Sequence, residues 1–302
     1  MSVRGQSYHD WELILIDDGS TDGTGDECDT LALQDMRIKV VHQSNAGVST
    51  ARNNGIEQAQ GEYVVFLDAD DWWNYDFLEQ MVGTLNNSDL PLCALTKVQK
   101  SGHETICEPL DFSSSPTRNI IACCRGLYLR AVLDKYHLRF STSLKTGEDQ
   151  EFVYKYLLYC QHPAYVPQAI YYYRMNETST MYQRSYVHFD AVEAMKGAVV
   201  YAQEIGTQEQ MDTYERDLIR FNAIRTIEFA ILTLLTAGES WKKIYVYLQE
   251  HGYLGIISEA LSSGDCYRSN FYDLWKKSPE DCLRRYAFRK FLGRFMRKIG
   301  LH

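Results

Sequence analysis

The chain has 302 residues, of which 45% are hydrophobic, and a formal net charge of −9 at pH 7. This length and composition allow one large domain or two ordinary ones with a substantial core, and they argue against a disordered chain. The acidic average argues against a general nucleic-acid binder, because neutralising phosphates needs a basic face.

The cysteines and the N-terminus bear on the cellular compartment. None of the cysteines forms a C-x-x-C pair, and Cys123 and Cys124 are adjacent, a pattern that suits neither a zinc knuckle nor a disulfide framework. No basic segment precedes an apolar core at the N-terminus, and no run approaches the roughly 20 apolar residues that span a bilayer. The sequence therefore predicts a reduced, cytoplasmic environment and no integral membrane segment.

The first part of the chain alternates between strands and helices. Strands are predicted over residues 12–16, 38–42 and 63–67, and helices begin near Thr24, where Glu27 would complete a capping box, and near Asn45. This alternation predicts right-handed βαβ units and a parallel sheet. Ligands of such sheets bind beyond the carboxyl ends of the strands.

The third strand ends in a group of carboxylates. The apolar run over 63–67 predicts a strand buried on both faces, and Asp68, Asp70 and Asp71 follow it directly. Like charges at the end of a buried strand repel one another and lose hydration unless a positive partner offsets them. A divalent cation is the simplest such partner.

The rest of the chain divides into a mixed part and a helical part. The predicted elements are a helix over 77–85, a strand over 92–98, a turn over 100–103, a strand over 123–129, helices over 130–136 and 146–160, and a strand over 169–174. Beyond residue 186 the periodicity is helical. This change predicts two domains, residues 1–183 and residues 184–302.

Four motifs, in this order and spacing, resemble those of the family 2 glycosyltransferases. They are Asp17-Asp18-Gly19-Ser20-Thr21-Asp22-Gly23; Asn45-x-Gly47-x-Ser49-x-Ala51-Arg52-Asn53-x-Gly55; Asp68-Ala69-Asp70-Asp71; and Gly147-Glu148-Asp149. The resemblance covers residues 2–182. It implies an α/β GT-A fold, with a Rossmann-like, mostly parallel sheet flanked by helices. It also implies an inverting mechanism, a nucleotide-sugar donor that is usually a UDP-sugar, and a Mg²⁺ or Mn²⁺ ion.

The resemblance assigns the donor side of the site to the first and third motifs. Asp70 is expected to bind the metal, with Asp68 completing the coordination shell or holding the ribose, because a hard divalent ion takes carboxylate and phosphate oxygens. Asp18 is expected to accept a hydrogen bond from the nucleobase. Asp17 is a second candidate for that role, and Ser20 belongs to the same nucleotide-binding motif.

The acceptor side is assigned to the fourth motif. Inversion needs a general base that takes the proton from the acceptor hydroxyl as its oxygen attacks the anomeric carbon. By resemblance Asp149 is that base, and Glu148 orients it or contacts the acceptor. Arg52, from the second motif, is expected to pair with the nucleobase or the diphosphate, whose acceptors suit its planar donors.

Each motif taken alone has a simpler explanation. The first could be a turn followed by a helix start, Asp149 could belong to a helix cap, and Arg52 could form a surface ion pair. Trp72 and Trp73 fit core or rim packing better than sugar stacking. The ordered set of motifs favours the site over four coincidences.

The chain departs from the family pattern at its start. The family's first strand and most of its first helix have no counterpart, and residues 2–8 match only the end of that helix. In the family this strand lies between those that match 12–16 and 63–67, so each of these is expected to have one unpaired edge. A misplaced start codon or a gene fragment is favoured over a genuine short form. We expect the chain as given to fold poorly and to be weakly active or inactive, and about 30 upstream residues to restore it.

The last residues predict a basic amphipathic helix. From Arg284 to His302 there are seven basic residues and no acidic one, and the apolar residues at 288, 291, 292, 295 and 299 fall on one stripe. One interpretation is attachment to the anionic inner face of the cytoplasmic membrane, close to a lipid-linked acceptor. The other is packing of this helix against the acidic body of the protein.

These observations leave three hypotheses for function. The first is an inverting, metal-dependent glycosyltransferase that builds a cell-surface polysaccharide or glycolipid. The second is a catalytically impaired remnant that binds nucleotide, metal or a partner without turnover. A nucleotide-sugar pyrophosphorylase is third, but the Gly-rich phosphate loop it needs near the N-terminus is not seen. The helices between 187 and 275 could cover the acceptor site or form a homo-oligomer.

Overall fold

The computed structural model describes residues 2–107, 109–112, 115–119, 121–176 and 185–298. The chain divides into two compact units, Met1–Leu144 with Glu148–Glu177, and Lys145–Gly147 with Thr178–His302. The predicted domain boundary at residue 183 lies outside the described residues. Every predicted site residue belongs to the first unit.

The strands of the first unit form three sheets. They are β1 (Leu13–Asp17), β2 (Ile38–His42), β3 (Tyr63–Val65), β4 (Trp72–Trp73), β5 (Leu90–Val98), β6 (Glu104–Ile106), β7 (Leu127–Leu129) and β8 (Pro163–Arg174). β1 pairs with β2 in parallel, and β3 pairs with β7 antiparallel. The third sheet has the order β4-β8-β5-β6, and only its β5–β8 pair is parallel.

This arrangement differs from the one mostly parallel sheet that the sequence predicts. Within the described residues β1 pairs only with β2, and β3 only with β7. Each therefore has the unpaired edge that was expected, and with no strand between them β1 and β3 do not join one sheet. Burial follows pairing: four of the five residues of β1 are only partly buried, whereas Leu90–Ala94 of β5 are buried throughout.

Five helices accompany these strands in the described part of the first unit. They are α1 (Thr24–Gln34), α2 (Val48–Gln58), α3 (Phe77–Gly83), α4 (Arg130–Lys135) and α5 (Glu148–Leu157). α1 begins at Thr24, as predicted. The predicted capping box with Glu27 is wrong, because Thr24 is the first helical residue and Gly23 is the cap. Asp22 accepts hydrogen bonds from the amide and hydroxyl of Thr24 instead, at 3.2 and 2.7 Å.

An aromatic cluster joins the end of β3 to α5. The ring of Phe66 contacts those of Tyr128, Phe140 and Phe152 at centroid distances of 5.8, 5.1 and 5.7 Å, and Phe140 stacks on Phe152 at 4.2 Å. Phe66 lies two residues before Asp68, and Phe152 lies one turn beyond Asp149. Packing of these rings therefore fixes the third and fourth motifs with respect to each other.

The described part of the second unit is helical, as predicted. A 3₁₀ turn (Tyr186–Phe189) and a π-helical segment (Glu215–Ala223) accompany α6 (Asp190–Ile205), α7 (Gln208–Tyr214), α8 (Ile224–Ala237), α9 (Trp241–Glu250), α10 (Tyr253–Ser263), α11 (Asn270–Trp275) and α12 (Pro279–Lys298). Across the described residues of both units, none of the helices combines the length and the apolar character needed to cross a membrane.

Candidate active site

The carboxylate of Asp17 is held at the end of β1 by the protein itself. Its Oδ1 accepts a hydrogen bond from the Ser20 amide (3.0 Å), and its Oδ2 lies 2.9 Å from Nδ1 of His42. Hydrogen bonds from Ser20 and His42 lower the pKa of Asp17 to about 2, and the Asp17 carboxylate in turn raises the pKa of His42. Asp17 is buried and paired, so it orders the loop that carries Ser20.

Asp18 fastens the loop between β2 and α2. Its Oδ1 accepts hydrogen bonds from Nε2 of Gln43 (2.7 Å) and the amide of Ala46 (2.8 Å), and its Oδ2 accepts one from the amide of Gly47 (2.8 Å). Burial raises the pKa of Asp18, but these hydrogen bonds outweigh it and the pKa is lowered. Because a carboxylate has about four acceptor positions, one position on Oδ2 is left for a ligand.

The loops after β1 and β2 meet at Gly19. Its φ is +77°, and a Cβ at this position would lie 2.8 Å from the amide nitrogen of Asn45. A side chain here would therefore face both backbone strain and a clash with backbone. Glycine lets the Asp18 carboxylate reach the amides of the neighbouring loop.

Arg52 bridges two carboxylates from distant parts of the chain. Its Nη2 donates to Oδ1 of Asp68 (2.9 Å), and its Nη1 donates to Oε1 of Glu148 (3.0 Å). The side chain is only 14% exposed. Burial by itself lowers the pKa of Arg52, but the negative charges around it, Asp68 and Asp149 among them, raise the pKa above its usual value. The second, third and fourth motifs thus meet at one guanidinium.

Asp149 is a half-buried carboxylate in the first turn of α5. It accepts a hydrogen bond from the Gln150 amide (2.8 Å), and it forms no ion pair with the residues that the structure describes. Burial, followed by the charge of Glu148, raises the pKa of Asp149 to about 6, against an opposing effect of Arg52. A carboxylate that titrates near neutral pH without a cationic partner is suited to accept a proton.

Asp71 differs from its neighbours because the protein uses both of its oxygens. Oδ2 accepts a hydrogen bond from the Tyr171 hydroxyl (2.6 Å), and Oδ1 accepts one from the Arg174 amide (2.7 Å). Burial raises the pKa of Asp71 to about 6, although these hydrogen bonds act in the opposite direction. The Tyr171 hydroxyl also accepts a hydrogen bond from the Asp68 amide (3.2 Å), and Nε of Arg174 donates to the Asp70 carbonyl (2.8 Å). This network orders the 68–71 loop against β8.

Asp70 presents its carboxylate to solvent at the same loop. The residue is exposed, and the structure gives its side chain no hydrogen-bond donor among the described residues. No three His, Cys, Asp or Glu side chains of that part of the chain converge as a metal site. A divalent ion that is held by one or two carboxylates and by substrate phosphates does not need three. Asp70, with the oxygen of Asp68 that Arg52 leaves unused, fits this donor set.

The two tryptophans that follow serve packing, as the sequence suggested. Trp73 is buried and stacks on Phe77, with 4.4 Å between the ring centroids. Trp72 stacks on Tyr172 at 5.4 Å, and the Arg174 guanidinium lies 5.0 Å from its ring. These contacts tie β4 to β8 beside the carboxylates.

Two residues that shape the site belong to no motif. His42 ends β2 directly opposite Asp17 in the parallel register, so the ends of two adjacent strands bring them together. Tyr171 is fully buried on β8, and a buried tyrosine hydroxyl usually finds a hydrogen-bond partner. The three consecutive tyrosines of the predicted strand over 169–174 were the available signal, but the partner of Tyr171 depends on the register of β8.

Residues 1–130 match the model of glycosyl transferase family 2. These residues therefore form a glycosyl transferase family 2 domain. EpsH of Bacillus subtilis (strain 168), which carries the name of a glycosyltransferase, is 29% identical over 236 residues, a match that spans 73% of this chain and 68% of EpsH. The family 2 match contains three of the four motifs, and Glu148 and Asp149 lie beyond it.

Two solved structures show the fold of this family 2 protein. Staphylococcus aureus TarS 1-349 in complex with UDP-GlcNAc has a TM-score of 0.64 and 20% identity, covering 88% of this chain and 87% of the TarS chain. The mannosyltransferase PcManGT from Pyrobaculum calidifontis, in complex with GDP-Man and Mn²⁺, has a TM-score of 0.53 and 18% identity over 96% and 81% of the chains. The predicted α/β GT-A fold is confirmed.

Proposed function

We propose that this family 2 glycosyltransferase moves a sugar, with inversion, from a UDP-sugar to a cell-surface polysaccharide or glycolipid. The observation that carries the proposal is the Asp149 carboxylate, which is unpaired, half-buried and raised in pKa to about 6. It lies in the same charge cluster as Arg52 and Asp68, and Asp70 follows Asp68 in the loop after β3.

The nucleotide is assigned to the ends of β1 and β3. Asp18 has one acceptor position left on Oδ2 for an N–H of the nucleobase. Ser20 and Arg52 supply donors for the ribose and the phosphates. The free oxygen of Asp68 either accepts a hydrogen bond from a ribose hydroxyl or completes the coordination of the metal. Asp17 holds the loop that carries Ser20 in place through its hydrogen bonds. TarS with UDP-GlcNAc and PcManGT with GDP-Man are fold relatives that hold nucleotide-sugars, which supports this class of donor.

The cofactor assigned to the site is Mn²⁺ or Mg²⁺, held by Asp70 and Asp68 together with the diphosphate. When bound, such an ion supplies positive charge to the departing diphosphate. The exposed, unpaired Asp70 carboxylate supports this assignment, as does the Mn²⁺ in the PcManGT structure. Arg52 limits Asp68 to one free oxygen, so Asp70 is the main protein ligand in this proposal.

Transfer then needs one proton acceptor. The acceptor hydroxyl oxygen attacks the anomeric carbon, the bond from that carbon to the diphosphate oxygen breaks, and the nucleotide leaves with the bonding electrons. The hydroxyl proton passes to the Asp149 carboxylate. Glu148, held by Arg52, raises the basicity of Asp149 through its charge. Both groups come from α5, whose position the aromatic cluster fixes.

A lipid-linked or growing saccharide would be met at the inner face of the cytoplasmic membrane by a cytoplasmic enzyme. The helices of the second unit would hold a homo-oligomer together.

The alternative is a protein that binds nucleotide or metal without turnover. One observation favours it: within the described residues, β1 and β3 each have an unpaired edge, and both carry site residues at their ends. A β1 that is only partly buried would hold Asp18 less firmly than a central strand does.

Nucleotide release decides between the two. The full chain is incubated with Mn²⁺ or Mg²⁺ and a panel of UDP-sugars and GDP-mannose, and the released nucleotide is measured. We expect release from a UDP-sugar by the natural protein and by Asp134→Asn, a control that changes an exposed carboxylate paired with Arg130, and none by Asp149→Asn. Donor binding without release by the natural protein would favour the alternative, and equal release by Asp149→Asn would refute the assignment of the base.

A further inference from the structure

One face of α12 is turned to solvent although it carries large aromatic side chains. Cys282 and Leu283 are buried, so the helix packs on the second unit through that side. Phe288 is 63% exposed and Phe291 is 57% exposed. The alternative in which the apolar stripe of this helix packs against the protein body therefore does not hold for these two residues.

Basic residues surround the exposed rings. Arg284, Phe288 and Phe291 are spaced four and three residues apart, so they follow one line along the helix, and Arg285 and Arg289 are exposed beside it. Arg284 pairs with Asp281 at 2.7 Å, but both side chains are largely exposed, so this pair is easily exchanged for another anion. Arg285 and Arg289 form no ion pair with a residue that the structure describes.

The distribution of charge along the chain favours one orientation of the protein at an anionic surface. The net charge is −9, and residues 284–302 contribute seven positive charges and no negative one, so residues 1–283 carry −9 − 7 = −16. An anionic surface attracts the end of the chain that contains α12 and repels the remainder on average. Approach with α12 foremost is therefore favoured.

Aromatic rings between arginines match the chemistry of an anionic bilayer. The rings enter the boundary between headgroups and acyl chains, while guanidinium groups remain at the phosphates. An acidic protein or a nucleic acid would use the arginines but would leave two phenylalanines without apolar cover. Because aromatic rings and guanidinium groups lie together on one face of the helix, this face fits a lipid surface better than it fits an acidic protein or a nucleic acid.

We propose that the outward face of α12, formed by Phe288 and Phe291 with Arg284, Arg285 and Arg289, binds the anionic lipid surface of a membrane. Membrane binding would keep the active site near a lipid-linked acceptor, and only this purpose rests on the proposed function. Binding itself needs no donor and no turnover.

Co-sedimentation with vesicles tests this face. The full chain is mixed with vesicles of phosphatidylcholine alone and with vesicles containing phosphatidylglycerol, at low and high salt. We expect binding only to the anionic vesicles, and weaker binding at high salt. Phe288→Ser should reduce binding about ten-fold, because it removes apolar area from the interface. Arg285→Gln with Arg289→Gln should reduce it about five-fold for each charge removed.

Matched variants on α9 control for general effects of surface change. Val246→Ser removes an apolar side chain that is 48% exposed, and Lys242→Gln with Lys243→Gln removes two exposed charges from the same unit. Both should bind vesicles like the natural protein. Far-ultraviolet circular dichroism and thermal unfolding of every variant identify any that do not fold.

Several outcomes would overturn the proposal. These are no binding to anionic vesicles at low salt, equal losses in the α9 controls, or unchanged vesicle binding by Phe288→Ser. A monomeric Phe288→Ser beside a dimeric natural protein in light scattering, with vesicle binding unaltered, would show that the face joins two copies of the chain. Nucleotide release is measured in parallel. Vesicle binding without nucleotide release would refute the proposed transferase activity but would leave the proposal of membrane binding by α12 intact.

Discussion

The ends of β1 and β3 each present carboxylates, but the protein treats the two groups differently. At β1, both oxygens of Asp17 accept hydrogen bonds, from Ser20 and His42. Both oxygens of Asp18 accept hydrogen bonds from the loop after β2, and the pKa values of both carboxyls are lowered. By contrast, Asp70 in the loop after β3 and Asp149 in α5 form no ion pair with the described residues. The fold satisfies the first group except for one acceptor position on Asp18, whereas the second group is left for substrate or metal.

The charges of the two groups have opposite effects on the free energy of folding. A carboxylate whose pKa is lowered to about 2, such as Asp17, stabilises the fold when it is charged. Burial and the charge of Glu148 raise the pKa of Asp149 to about 6, so its charge costs folding free energy at neutral pH. Such a cost is expected at a site where chemistry needs a reactive group. Substitutions in the two groups should therefore have opposite effects on stability and activity.

The largest expected effect is on transfer by Asp149→Asn. The amide keeps the acceptor for the Gln150 amide but cannot take a proton, so transfer should fall about 10²- to 10⁴-fold. Donor binding, measured by calorimetry with Mn²⁺, should stay within about three-fold of the natural protein, because no nucleotide contact is assigned to Asp149. Transfer within ten-fold of the natural rate would remove Asp149 from the mechanism; Asp134→Asn is the control.

Adjacent Asp70 and Asp71 give a matched pair with opposite expectations. Asp70→Ala should weaken metal-dependent donor binding by at least about ten-fold while leaving thermal unfolding nearly unchanged, because this carboxylate has no protein partner to lose. Asp71→Ala leaves the Tyr171 hydroxyl and the Arg174 amide without their acceptor. It should lower the free energy of unfolding by about 1–3 kcal/mol.

Two titrations test the expectations for Asp70→Ala and Asp71→Ala. Donor affinity is measured with and without Mn²⁺, and unfolding is followed in urea. If both substitutions destabilised the fold equally, or if Asp71→Ala alone lost the effect of Mn²⁺, the division into free and paired carboxylates would fail for this loop.

A smaller effect is expected on the pH dependence of transfer in Glu148→Gln. The natural protein should lose activity below an apparent pKa near 6, because Asp149 must be unprotonated. Removing the Glu148 charge lowers the pKa of Asp149, and Arg52, freed from Glu148, acts in the same direction. The acidic limb of the profile of transfer rate against pH should therefore shift to a pH that is lower by about one unit. An unmoved or raised limb would show that Glu148 does not act through Asp149.

The smallest effect is on acid stability at the end of β1. Asp17 has its pKa lowered from 3.8 to about 2, so its contribution is complete above pH 3.8 and is lost as the pH falls to about 2. Asp17→Asn should therefore flatten the fall in unfolding free energy between pH 4 and pH 2, and should lower stability at pH 7. The exposed Asp10→Asn is the control, and equal behaviour of both variants would contradict a paired Asp17.

Much of this arrangement follows from local sequence. The strand over 38–42 and the helix start at Thr24 come from periodicity and turn residues, and both are confirmed. The order of the motifs predicted one shared site, but it did not predict the ion pairs of Arg52 with Asp68 and Glu148. Motif spacing is informative here because each motif ends or begins a predicted element.

Other features depend on contacts between distant residues. Whether Asp70 or Asp71 is free is decided by the register of β8, which places the Tyr171 hydroxyl and the Arg174 amide on Asp71. The pairing of Asp17 with His42 likewise needs the β1–β2 register. The apolar run over 63–67 predicted a strand buried on both faces, but the residues of β3 are only partly buried, and β3 has one paired neighbour among the described residues.

The most direct test measures stability and transfer on the same preparation of Asp149→Asn. Wild-type stability should decrease as the pH rises from about 4 to about 6, because the folded chain holds a proton on Asp149 that the unfolded chain has lost. Asp71, whose pKa is also raised to about 6, contributes a similar decrease to both proteins. The variant should therefore show a smaller decrease than the natural protein, and at pH 7 it should unfold at the same or a higher temperature while transfer is lost. A lower unfolding temperature, or transfer at the natural rate, would contradict the claim that Asp149 is a carboxylate that the fold leaves unpaired for the reaction.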